Sequence, residues 1–108
     1  MIEVRFFTDG NLICGFEMSG HSGYADEGSD IVCASVSSAA YMAANTVTEI
    51  IGLDADIQVD NGYMNFQLRK ELPKAQQILK GLRLHIEALA QDYSDYIKVT
   101  SLRRCQNA

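Results

Sequence analysis

The chain has 108 residues, 47% of them hydrophobic and 21% charged, with a formal net charge of −5. That length supplies one domain with one core. The acidic balance excludes a broad phosphate-binding surface, which needs a positive stripe, and suits a basic polypeptide partner instead.

No apolar run reads as long enough to cross a bilayer. The opening MIEVRFFTDG lacks the basic and continuous apolar regions of a secretory signal. A cytoplasmic protein is expected, without membrane or direct nucleic-acid contact. The three cysteines, Cys14, Cys33 and Cys105, are odd in number and form no CxxC pair. They are expected to be reduced thiols rather than a disulfide framework.

In chain order, IEVRFF alternates and is rich in β-branched and aromatic residues, which predicts a strand over Ile2 to Phe7. Asp9-Gly10-Asn11 is a hairpin signal, and Leu12 to Ser19 is the return strand. Gly20 to Ser29 has no periodicity and three glycines, Gly20, Gly23 and Gly28. It reads as a loop, longer than usual and free to move. From Asp30 apolar residues recur at three- and four-residue steps through Val32, Val36, Ala39, Ala40, Ala43, Val47, Ile50 and Ile51. That predicts a helix with Ser29 as N-cap, ending at Gly52.

A second hairpin turns at Asp60-Asn61-Gly62. Pro73 then opens a helix at its first turn, with Ile78, Leu82, Ile86, Leu89 and Ala90 on one face. DYIKVTSL alternates as a last strand. The order ββαββαβ is α+β: a single domain, residues 1–108, of two helices packed on a mostly antiparallel sheet.

Chemistry concentrates where the loop meets the first helix. Cys33 is placed in the first helical turn, where unpaired amides and the helix dipole favour a thiolate. His21 follows the strand end, and the glycine-bearing loop gives it slack to reach Cys33. A Cys–His pair is a minimal unit for nucleophilic catalysis, with imidazole as base and then acid. Asp30 either orients that imidazole or caps the helix. The bland alternative is a small core cysteine beside a surface histidine. A metal held by His21, Cys33 and an acid matches no common ligand spacing, so no metal or cofactor is expected.

Other residues carry less. His85 is structural or exposed, Cys14 lies in or near the core, and Cys105 sits in an exposed polar tail with Arg103 and Arg104. Tyr24, Asp26 and Glu27 are loop residues, the two acids suited to a basic substrate.

Gly20-His21, a glycine-bearing spacer, then Gly28-Ser29-Asp30-Ile31-Val32-Cys33-Ala34 with Ser37 resembles the ribosomal-processing cysteine proteases of the Prp family. The resemblance runs over the whole chain, including Ile50 to Leu53 and the Asn61-Gly62 turn. Ser22 departs from it, standing where alanine is usual. The resemblance implies an endopeptidase that removes the N-terminal extension of a large-subunit ribosomal protein, cutting after a hydrophobic, phenylalanine-containing stretch. His21 would match the catalytic histidine, Cys33 the nucleophile and Ser37 a substrate-positioning serine. It further implies a homodimer with a mobile loop over the site. A non-catalytic module that binds a peptide or ribosomal protein is the competing reading.

Overall fold

The computed structural model of the chain describes residues 1–20, 27–103 and 105, and for 27–30 the backbone alone. Five strands and two long helices alternate as expected: β1 (Ile2–Asp9), β2 (Leu12–Ser19), α1 (Glu27–Asn45), β3 (Ala55–Asp60), β4 (Tyr63–Leu68), α2 (Gln76–Asp92) and β5 (Ile97–Leu102). A π-helical stretch, Thr46–Ile51, extends α1, and a 3₁₀ turn, Leu72–Ala75, leads into α2. Pro73 belongs to that turn, so α2 itself starts at Gln76.

The strands form one sheet in the order β3-β4-β2-β1-β5. Both hairpins sit where the Gly-containing turns place them, with Asp9 opposite Leu12 and Asp60 opposite Tyr63. β5 runs parallel to β1, with Ile2 opposite Ile97, and is the one parallel pair among antiparallel neighbours. The crossover from β4 to β5 through α2 permits this direction, as a short turn would not.

Period-two alternation gives each strand one apolar face. Ile2, Val4, Phe6, Phe16, Met18, Met64, Phe66 and Leu68 point to the same side and are buried. Both helices close over that side. α1 contributes Val32, Val36, Ala40, Ala43 and Ala44, and α2 contributes Leu79, Leu82 and Ile86. Leu79 is fully buried, while Ile78 packs only partly against the core.

The stretch Ile31–Ile51 does meet the length and composition of a membrane span, at a mean hydropathy of 1.2. That corrects the absence of any bilayer-length apolar run. Its alanine-rich face packs on the sheet, where small side chains allow close approach.

The opposite sheet face is polar. Arg5 pairs with Glu3 and, through Nη1 at 2.9 Å, with Glu17 Oε1. Where β4 has ended beside β2, the buried Gln76 side chain continues the ladder. Its Oε1 accepts from the Ile13 N–H at 2.7 Å and its Nε2 donates to the Ile13 carbonyl at 2.8 Å. One side-chain amide thus replaces a missing peptide unit, as buried backbone groups require.

Two cysteine assignments are corrected. Cys14 and Cys105 form a disulfide, with Cα atoms 5.8 Å apart, so three reduced thiols are not present. The cause is the parallel β5: it pairs Leu102 with Phe7, and Phe7 also faces Gly15. The chain end is thereby carried to β2, a proximity that spacing along the sequence does not reveal.

Candidate active site

α1 begins at Glu27, earlier than the Ser29 cap implies. Gly28, Ser29 and Asp30 are therefore helical, and Gly28 is no part of a mobile loop. Asp30 is the fourth helical residue rather than a cap. Cys33 is the seventh and stands in the second turn. The unpaired amides of a helix belong to its first four residues. They lie about one turn before Cys33, so the first-turn placement of the cysteine is corrected too. His21, Ser22, Gly23, Tyr24 and Asp26 lie outside the described residues, as does the side chain of Asp30.

Cys33 and Ser37 are four apart on α1 and so share a face. Both line a cavity of about 230 Å³. Tyr41, one further turn along, completes that row. Val36 of α1 and, across from the helix, Ile2, Met18 and Met64 form apolar walls, and Ser19, Gly20, Asp60, Gly62 and Tyr63 form the end by the β3–β4 turn. Cys33 is half-buried and is the only cysteine outside the disulfide.

Gly20, the residue before His21, is tied to the β3–β4 turn by a backbone hydrogen bond. Its N–H donates to the Gly62 carbonyl at 3.0 Å. Its φ is +100°, and a Cβ there would stand 2.5 Å from the Met1 carbonyl oxygen. Only glycine fits this conformation and this gap. The chain thus leaves β2 toward His21 from a defined point on the wall of the Cys33 cavity. Gly20→Ala is expected to lose about 1–3 kcal/mol of stability and, by displacing that departure point, about tenfold or more in kcat/KM on a cleavable peptide. Thermal melts and peptide kinetics check both.

Tyr63 is held from the polar sheet face. Its hydroxyl donates to Glu17 Oε2 at 2.9 Å, and Glu17 is held in turn by Arg5. Asn65 Nδ2 donates to the same hydroxyl at 3.1 Å. The hydroxyl is thereby fixed on the polar sheet face, and Tyr63 also contributes to the lining of the cavity.

Tyr41, Asp60, Tyr63, Met18 and Met64 are site residues that sequence reasoning missed. Tyr41 carried a readable signal, two turns after Cys33 on one helix face. The hairpin residues carried none, because only the strand order brings that turn to α1. His85 is exposed on α2. No cluster of metal-ligating residues occurs among the described residues.

A half-buried thiol on a helix, a serine one turn on and a largely apolar cavity beside them suit acyl chemistry on a bound peptide. Comparison with known proteins agrees. The family model for the cysteine protease Prp matches residues 1–98. The ribosomal processing cysteine protease Prp of Bacillus subtilis (strain 168) is 35% identical over 96 residues, covering 82% of this chain and 86% of that protein. A crystal structure of a Streptococcus mutans protein superposes with a TM-score of 0.85 at 25% identity, covering 96% of each chain. The structure of the essential ribosomal processing protease Prp from S. aureus, with a covalently linked product peptide, gives 0.84 at 24% identity, covering 94% of this chain and 100% of that one. These matches, with a single thiol at the cavity, make the chain a cysteine protease that belongs to the Prp family.

Proposed function

We propose that the chain is an endopeptidase that removes the N-terminal extension of a large-subunit ribosomal protein, cutting after a hydrophobic, phenylalanine-containing stretch. One observation carries the site assignment. Of three cysteines, two are joined to each other, and the third lines the cavity. A cysteine protease needs a thiol, and Cys33 is the one outside the disulfide.

In this reading His21 takes the Cys33 proton, and the thiolate adds to the scissile carbonyl carbon. The tetrahedral intermediate collapses as His21 gives the proton to the leaving amine. Water, deprotonated by His21, then hydrolyses the thioester and restores the thiol. Ser37, one turn along α1, positions the substrate. Asp30 orients the imidazole. The apolar walls of Met18, Val36 and Met64 accept the hydrophobic stretch, and the acidic chain suits a basic ribosomal protein. The working unit is a homodimer in the cytoplasm.

The test is incubation of the precursor ribosomal protein, and of a peptide spanning its extension, with the purified protein, followed by mass spectrometry. A single cut after the phenylalanine-containing stretch is expected. Intact precursor that nevertheless binds the protein would move the reading to the non-catalytic binding module.

A further inference from the structure

We propose that Asp60 is a specificity-determining residue that selects a lysine or arginine in the substrate close to the scissile bond. The inference rests on the protease reading above and names a feature of its substrate. Asp60 is the one charged residue among the described residues lining the Cys33 cavity. It ends β3 on the turn side, is exposed, and lines the same cavity as Cys33 and Ser37 of α1. Its Oδ1 accepts the Asn61 N–H at 2.7 Å, which fixes the carboxylate. Its Oδ2 has no protein partner among the described residues.

The neighbouring cations are engaged elsewhere. Arg69 pairs with Asp56 at 2.6 Å, and Arg5 with Glu3 and Glu17. The negative charge of Asp60 is therefore available to a ligand. Its surroundings strengthen the effect. Ile2, Met18, Val36 and Met64 give the cavity beside it apolar walls, and a charge next to apolar walls is screened less than one on a fully open surface. Tyr41, an aromatic residue on the same cavity, adds a group that also attracts a cation. A peptide with its scissile carbonyl at Cys33 advances about 3.3 Å per residue, so the basic side chain falls within about three positions of the cut.

The test walks one lysine through three positions on either side of the scissile bond in otherwise neutral peptides. At each position kcat/KM is compared with that of the glutamine peptide. Wild type is expected to prefer lysine at one position by about two- to fivefold, the range of an exposed ion pair, and less at high salt. Asp60→Asn keeps the acceptor for the Asn61 N–H, so the turn is preserved. In that variant the lysine-to-glutamine ratio should fall to about one. Asp60→Lys should invert it in favour of a glutamate peptide. A wild type that cleaves these peptides with a ratio Asp60→Asn leaves unchanged at every position overturns this inference and spares the protease. A wild type that cleaves neither the peptides nor the precursor overturns the protease reading, and this inference with it.

Discussion

Cys33→Ala is expected to abolish cleavage, with a loss of at least about 10³-fold in kcat, the scale on which removing a covalent nucleophile acts. The argument is one of exclusion. Cys14 and Cys105 are bound to each other, so no second thiol stands ready to substitute. Stability should change little. Cys33 is half-buried at the cavity wall and packs only partly against the core, so losing its sulfur costs about 1 kcal/mol or less. The variant should therefore melt close to wild type and still bind the peptide. Steady-state rates and thermal melts on the same preparation separate chemistry from folding. Retained turnover in clean Cys33→Ala protein would remove the nucleophile assignment.

Phe16→Ala is expected to cause the largest stability loss. Phe6, Phe16 and Phe66 lie side by side across β1, β2 and β4 and are 0% exposed. Phe16 is the middle ring, with its centroid 5.2 Å from Phe66 in a stacked pair and 6.2 Å from Phe6. Truncation removes a large apolar side chain and leaves a void that neither neighbouring strand can close without breaking register. Such changes cost about 3–5 kcal/mol, against a usual total of about 5–15 kcal/mol. The melting temperature should fall by roughly 12–25 °C. A denaturant titration that shows a loss below about 1 kcal/mol would contradict the packing described here.

The physical reason some features were legible and others not is range. The hairpins at Gly10 and Gly62 are set by two or three adjacent residues, and both are found where those residues stand. The apolar faces of β1, β4 and α1 follow from period alone. The start of α1 was misplaced because Gly28 and Ser29 read as loop residues, while the helix tolerates both in its first turn. The parallel β5, the Cys14–Cys105 bond and the place of Asp60 on the Cys33 cavity each depend on strand order. That is a relation between segments far apart in sequence, and no local pattern encodes it. The site divided the same way. Cys33 was readable from the helix and Ser37 from the family resemblance, whereas Tyr63 and Asp60 required the sheet.

Strand β2 is gripped at both ends by groups that recognise its main chain. Gln76 binds the N–H and carbonyl of Ile13 at one end. Gly62 and Met1 enclose the backbone of Gly20 at the other. Grips of this kind are indifferent to most side chains between them but not to how many residues there are. One residue more or fewer would turn Phe16 outward and shift Gly20 away from Gly62. Evolution can thus rewrite the letters of β2 on its polar face more easily than its length, and insertions or deletions are pushed to the hairpin turns and to the segment after Gly20.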